Sequence, residues 1–383
     1  MRHEGGRGIV HRLRGRPSRR RIPKSMKNRV ISLYKKQYKG FGPTFTTEKL
    51  HERDKIKVSR ETLRTWLMGE NLWERHRKSS NHRQNRPRKE CYGDMVILDG
   101  SHHDWFEGRG PKLVLMAYID DATSKIYARF YDYEGTIPAM DSFKRYIKRY
   151  GLPQHIYTDM HTTYKSPKKP TIEDELANRE PQSQFERALE ELGVDFIHAN
   201  SPEAKGRVER VFGTLQDRLI KEMRLRKIST KAEANNYLRY YLPGHNKRFT
   251  VEPFNTSDVH RRIPDSINLD AILCIREKRT IRKDWTIRQD NRFYQIIKVP
   301  SGLKPKYVWV EKRINGKMLL MYRGFYLSFK EIEVRLPEKK AVSKRKRVAL
   351  KKKYIPPKDH PWRKLNRLVI AENNRYSQRT NGK

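Results

Sequence analysis

Three things are scarce in this chain of 383 residues, and each scarcity excludes something. No run of about 18 apolar residues occurs, and the arginine-rich N-terminus has no apolar core segment, so neither a membrane span nor a secretory signal is expected. Cysteine is limited to Cys91 and Cys274, far apart and without the paired spacing of a zinc site. Both read as reduced thiols of a cytoplasmic protein. Acidic residues are few, 44 Asp and Glu against 86 Lys and Arg, which leaves a formal charge of +42. That excess exceeds what solubility requires and calls for a polyanion, and nucleic acid fits best.

What is present is unevenly spread. Residues 1–89 carry 27 Lys and Arg against 7 Asp and Glu, and residues 338–383 carry 16 against 3, so residues 90–337 lie much closer to neutrality. A hydrophobic content of 36% allows a lean core, which belongs in that middle. The pattern divides the chain into a basic arm (1–23), a helix-turn-helix DNA-binding unit (24–74), a basic linker (75–91), an α/β catalytic body (92–228), a helical connector (229–275), a small β-barrel (276–337) and a basic tail (338–383).

In the arm, Arg14-Gly15-Arg16-Pro17 reads first as part of a solvated linker, although its extended form also suits a narrow minor groove through Arg14 and Arg16. From Ser25 onward, Met26, Val30, Leu33 and Tyr34 form one helical face up to the breaker Gly40-Phe41-Gly42-Pro43. Thr46 or Thr47 is expected to cap a second helix, and Ser59 a third with Leu63, Trp66 and Leu67 inward. Three short helices suggest a helix-turn-helix whose last helix turns Arg60, Arg64 and Thr65 to a major groove; a generic helical bundle is the rival reading.

The body opens on Met95-Val96-Ile97-Leu98, a short strand buried on both faces and ending in Asp99, an unusual place for a carboxylate unless a cation waits there. Two hairpin-linked strands follow, at Leu113–Ile119 and Ile126–Tyr131. Then come a helix over 137–150, the strand His155–Thr158 with Asp159 at its end, and an irregular insert at 166–182. A helix at Phe185–Leu192, a strand at Val194–His198 and a helix bearing Glu209 complete the order βββαβαβα, that of a ribonuclease-H-like layered α/β fold. Two strand-end aspartates and one helix glutamate, converging, make an all-oxygen site for Mg²⁺ or Mn²⁺. Other polar groups nearby have plain structural readings. Asp120 and Asp121 sit in a hairpin turn, where Asp bonds its own backbone. His102, His103 and Asp104 either touch substrate or pack, while Lys205 and Arg207 either contact phosphates or form a solvated basic face. A helix is expected over Ala232–Leu242, stopping before a connector that runs from Pro243 to Asp270. Beyond Arg276, short alternating runs punctuated by Gly302, Gly316 and Gly324 suggest the small barrel.

Three segments carry a resemblance. Ile97-Leu-Asp-Gly-Ser101, Tyr157-Thr-Asp-Met-His161 and Lys205-Gly-Arg-Val-Glu-Arg-Val-Phe-Gly-Thr-Leu215 resemble the three acidic motifs of the DDE transposase and retroviral-integrase superfamily. Ser101-His-His-Asp-Trp-Phe-Glu-Gly-Arg-Gly-Pro111 and Pro356-Pro-Lys-Asp-His-Pro-Trp-Arg363 are similar to the ISNCY group of insertion-sequence transposases. The resemblance implies that Asp99, Asp159 and Glu209 are the catalytic triad and hold two divalent ions. Those ions would flank the scissile phosphate, first for hydrolysis at an element end and then for joining of the freed 3′-hydroxyl to target DNA. It also implies double-stranded DNA, both element ends and target, as the partner, a nucleoid-associated location in a bacterial cytoplasm, and a homodimer or higher oligomer on DNA, since two ends must be held together. Longer members of the group carry a further DNA-binding unit before the Arg-Gly-Arg-Pro linker, which would make this chain a shortened copy. The spacing from Asp159 to Glu209 is longer than in integrases, and the 166–182 insert accounts for the excess. Glu203, the neighbouring acid, follows Pro202 at the helix start, where the helix dipole already explains it. A metal-dependent nuclease or resolvase of the same fold, and an inactive DNA-binding regulator, are the alternative functions.

Overall fold

The computed structural model describes residues 22–74, 86–167, 170, 175–176, 180–199, 206–297, 306–333, 357 and 359–361. The chain forms two compact units, Met1–Lys330 and Glu331–Lys383. Helices α1 (Lys24–Gln37), α2 (Pro43–Asp54) and α3 (Arg60–Gly69) open the first unit. They close around Val30, Tyr34, Phe41, Phe45, Leu50, Leu63 and Leu67. Helix α2 begins earlier than its threonines suggest. Pro43 takes the first helical position, where its missing N–H costs nothing, and the Thr46 and Thr47 hydroxyls donate to the Gly42 and Pro43 carbonyls at 3.0 and 2.7 Å instead of capping. Ser59 does cap α3, accepting from the Thr62 N–H at 3.1 Å.

The body is built on a five-stranded sheet. Its strands are β2 (Met95–His103), β3 (Leu113–Asp120), β4 (Ile126–Tyr131), β5 (His155–Thr158) and β6 (Asp195–His198), after the two-residue β1 (Cys91–Tyr92). The order β4-β3-β2-β5-β6, with β3 antiparallel to β2 and β4 and with β2, β5 and β6 parallel, agrees with the expected mixed α/β architecture. Side-chain alternation sorts the two faces. Val96, Leu98, Val114, Met116 and Tyr118 pack on α4 (Thr136–Tyr150) and α5 (Gln184–Glu191). Met95, Ile97, Leu115, Ala117 and Ile119 pack on α6 (Gly206–Leu225) and α7 (Lys231–Phe249).

Two expectations need correction here. Strand β2 does not end at Leu98; its pairing with β3 continues to His103 opposite Leu113, so Asp99 lies inside the strand. Only the pairing with β5 stops early, at Ile97 opposite Tyr157. Helix α7 likewise runs through Pro243 to Phe249, beyond the connector boundary read from that proline. Proline removes one helical hydrogen bond, but the side chains of Asn235 and Asn246 fasten α7 to the edge strand β4. Each amide both donates to and accepts from one β4 residue, Asn235 with Phe130 and Asn246 with Ile126. The same bonds satisfy backbone groups of an otherwise open edge.

The segment after the body pairs β7 (Asn255–Asp258) with β1 and includes the short α8 (Leu269–Ile272). The expected β-barrel is not closed among the described residues. Strands β8 (Cys274–Thr280), β11 (Tyr307–Arg313), β12 (Met318–Tyr322) and β13 (Phe325–Leu327) form one sheet. Strands β9 (Thr286–Gln289), β10 (Arg292–Ile296) and β14 (Phe329–Ile332) form another. Ile287, Ile296, Val308, Val310 and Leu320 are buried in one apolar cluster there. No helix among the described residues is long and apolar enough to cross a membrane.

Candidate functional site

Two of the expected carboxylates follow the parallel ladder of β2 and β5. Ile97 pairs with Tyr157, and both pack on the α6 side. Two residues further along each chain come Asp99 and Asp159. Asp99 Oδ1 accepts from the Gly100 N–H at 3.0 Å, and Asp159 Oδ1 accepts from the His161 N–H at 3.0 Å.

Glu209 lies exposed in the first turn of α6, and three contacts fix the level of that helix. Arg207 bonds Asp121, whose N–H donates to the Met95 carbonyl at 3.0 Å. Gln216 Nε2 donates to Ser101 Oγ at 3.2 Å, and Arg224 reaches Glu107. Helix α6 therefore runs in the direction of β2. Glu209 precedes Gln216 by two turns on the same helical stripe, about 10 Å back, which brings its backbone roughly level with Leu98 and Asp99. Among the described residues, no three His, Cys, Asp or Glu side chains come close enough together to hold a metal ion. The aspartate pair nevertheless suits a hard cation, because Mg²⁺ commonly takes one or two protein carboxylates and completes its shell with water and substrate phosphate.

A fourth carboxylate, unmarked in the sequence, borders this pair. Glu134 lies between β4 and α4 with only 8% of its side chain exposed. It accepts from the Tyr164 hydroxyl at 3.2 Å and bonds His102 Nε2 at 2.9 Å. A Cβ at Gly100, the residue after Asp99, would overlap this carboxylate. Burial first, then the charge of Glu134, with Asp99 adding to it, pushes the Tyr164 phenol well above its ordinary value. Glu134 thus ties β2 to the segment that follows Asp159. Sequence spacing carries no signal of it, since its partners lie about 30 residues away on either side.

The remaining expected residues are dispersed. Arg60 is exposed at the start of α3, and Arg64 is folded onto Glu61 of the same helix. Arg207 is turned inward onto Asp121. Arg14, Arg16 and Lys205 lie outside the described residues. Asp120 behaves as a turn aspartate, accepting from Thr123 and from the Gly93 N–H. Asp121 does not; it is a buried anion joined by Arg86, Arg207 and the Lys89 N–H.

Acidic residues on β2 and just after β5, in a chain this basic, point to an enzyme that acts on the phosphodiesters of DNA. No protein-family model matches the chain. It is 35% identical over 332 residues to y4bF of Sinorhizobium fredii, a protein named as a transposase, across 85% of this chain and 71% of that one. It is 27% identical over 408 residues to the transposase for insertion sequence IS1202 of Streptococcus pneumoniae, across 94% and 84%. The chain belongs to the transposase family and is a DNA transposase. Among solved structures, the HTLV-2 integrase catalytic core domain in complex with magnesium is similar over 38% of this chain and 82% of that one, at 18% identity and a TM-score of 0.30. The simian T-cell lymphotropic virus intasome in complex with PP2A regulatory subunit B56 gamma covers 81% and 100%, at 15% identity and a TM-score of 0.31. Both likenesses are too distant to bear on the site.

Proposed function

We propose that the chain is a DDE transposase that binds the ends of an insertion sequence, cleaves to free 3′-hydroxyl ends and joins those ends to target DNA. Asp99, Asp159 and Glu209 are the catalytic carboxylates, and they would hold two Mg²⁺ or Mn²⁺ ions. The observation that carries this reading is the aspartate pair beyond the last β2–β5 pairing, with the first turn of α6 alongside. Divalent ions bound there would polarise the scissile phosphate and favour the ionised form of the attacking oxygen. The chain's own part is geometric: β2 carries Asp99, the end of β5 leads into Asp159, and the Arg207–Asp121 pair anchors the helix turn that bears Glu209. No protein nucleophile is required, because water and then the 3′-hydroxyl attack.

End recognition falls to α1–α3 as a helix-turn-helix, with α2 and α3 joined through Lys55 in left-handed conformation at φ 58° and Arg60 presented at the start of the outer helix. Pairing two ends calls for a dimer or higher oligomer. The test is Asp99→Asn in a plasmid-joining assay with end-sequence DNA and Mg²⁺. Loss of both cleavage and joining, with end binding retained, is the expected result; undiminished activity would sink the assignment. Cleavage without joining by the unaltered protein would mark a nuclease, and binding with neither reaction would mark a regulator.

A further inference from the structure

The sheet formed by β8, β11, β12 and β13 has one face that its core does not use. Val308, Val310 and Leu320 point into the apolar cluster, while Tyr307 and Trp309, on the alternate positions of β11, remain 43% and 37% exposed. Tyr326, opposite Met321 on the next strand pair, is also exposed, and its ring is held in place at the hydroxyl. That hydroxyl donates to Glu311 at 3.2 Å and accepts from Arg313 at 3.0 Å. Lys278 Nζ stands 4.0 Å over the Tyr307 ring. At the end of this face a cavity of about 370 Å³ is lined by Lys306, Tyr307, Trp309, Tyr322 and Arg323: three aromatic rings, two cations and no carboxylate.

The two kinds of side chain ask for a ligand with two properties at once. Cations alone suit the phosphates of any duplex, but exposed aromatic rings add nothing to such a contact. An apolar protein partner would use the rings and leave the cations unmatched. A flat heteroaromatic base attached to a phosphate satisfies both, and the volume falls within the ordinary range of ligand pockets. Inside a duplex each base is already stacked on both faces, so the available ligand is an unpaired one. Self-association through this face is opposed by the +42 charge that each copy carries.

We propose that this cavity binds an unpaired nucleotide of DNA, by stacking its base on Tyr307 and Trp309 and pairing its phosphate with Lys306 and Arg323. The inference rests on the transposition reading, which supplies DNA with freed ends, and gives the C-terminal sheet the task of holding single-stranded flanks. The test measures binding by fluorescence anisotropy, in the absence of divalent metal. It compares a covalently closed duplex circle, which has no unpaired nucleotides, with a linear duplex of the same sequence bearing a single-stranded overhang of about ten nucleotides, within the site sizes of stacking platforms.

The full-length protein should prefer the overhang. Tyr307→Ala/Trp309→Ala should lose that preference, with about a tenfold fall in overhang affinity and no change for the closed duplex, one stacked base accounting for such a factor. Tyr307→Phe should retain it. Arg323→Gln, in an exposed turn and harmless to folding, should weaken overhang binding about threefold, in keeping with loss of a phosphate contact. Unchanged overhang affinity, an equal fall on both DNAs, or an effect confined to self-association in sedimentation would each overturn the proposal. The two readings fail separately: an absent overhang preference in the unaltered protein removes this one alone, and an Asp99→Asn variant that still joins ends removes the other.

Discussion

Replacing Asp121 by alanine tests whether a buried anion holds the first turn of α6. The carboxylate is fully buried and takes bonds from Arg86, from Arg207 and from the Lys89 N–H at 2.9 Å. Its removal strands the Arg207 guanidinium, 15% exposed, without its counter-charge. Breaking a buried pair in this way costs about 3–5 kcal/mol. Arg86 is one-third exposed and can turn to water, so its lost pair adds at most about 1 kcal/mol. Partial relaxation of Arg207 toward solvent brings the sum to about 3–4 kcal/mol, read as a lower urea midpoint at unchanged slope. Asp121→Ala/Arg207→Met should recover more than half of that, because a methionine in the same space needs no partner. Joining activity should fall in the single variant even where it remains folded, since Glu209 lies two residues beyond Arg207. A single variant within about 0.5 kcal/mol of the unaltered protein would refute the account, because that is the range of an ordinary surface substitution.

Three other perturbations read different parts of the molecule. Gly100→Ala places a methyl against Glu134 and should cost about 1–3 kcal/mol while lowering DNA cleavage on the order of a hundredfold, the penalty of displacing a site by about an ångström; full cleavage by this variant would remove Glu134 from any part in the site. Glu48 of α2 receives forked bonds from Arg218 of α6 and Arg248 of α7, so Glu48→Ala should destabilise by about 2 kcal/mol in thermal melts near neutral pH. Although burial raises the Glu48 carboxyl, the two arginines pull it below its ordinary value. Its contribution is therefore complete above the unfolded value of about 4.3 and lost as pH falls through the lower folded value, so the two melting curves should converge in acid. His245 of α7 runs the opposite way: burial, then the charges of Arg218 and Arg248, push it down to about 4. The unfolded chain takes up this proton near pH 6.5 and the folded chain only near 4, so stability should drop by about 2 kcal/mol between pH 7 and 5, and His245→Phe should flatten that drop. Equal acid losses in both proteins would exclude a buried neutral imidazole.

Apolar alternation made the body legible. Met95 to Leu98 and Leu113 to Ile119 each sort onto two helix layers as their run of hydrophobic residues implies. The same signal misjudged β2, because His102 and His103 are held in the strand by backbone pairing with Val114 and Leu113, which polarity does not reveal. Pro243 misled for a related reason: local chemistry says that a helix should stop, while Asn246 three residues later has a tertiary partner that keeps it going. Asp121 was legible as a turn residue and not as a buried anion, since its partners Arg86 and Arg207 are separated from it by 35 and 86 residues. Asp99 and Asp159 are marked in the sequence by their place after apolar runs, whereas Glu134 sits in a polar loop with nothing local to distinguish it. The barrel expectation rested on strand spacing alone, which counts strands without fixing which ones pair.

The distribution of charge bears on how such a site can work. The positive charge concentrated at both ends of the sequence suits a polyanion such as DNA, whereas a body equally basic would offer each proposed catalytic carboxylate an arginine in place of a divalent cation. Residues 90–337 are less basic, and part of their positive charge is already paired. They hold 43 Lys and Arg against 34 Asp and Glu, much closer to balance than the termini. Several of their arginines are also committed to other acids: Arg207 to Asp121, Arg218 to Glu48, and Arg276 to Glu311 and Glu191. Each of these pairs holds a guanidinium at a fixed structural position. Asp121 is thus a test of charge segregation as well as of stability. Freed from it, Arg207 is within one helical turn of Glu209, and the variant's requirement for divalent metal in cleavage should rise; an unchanged metal requirement would mean that the carboxylates tolerate a loose cation beside them.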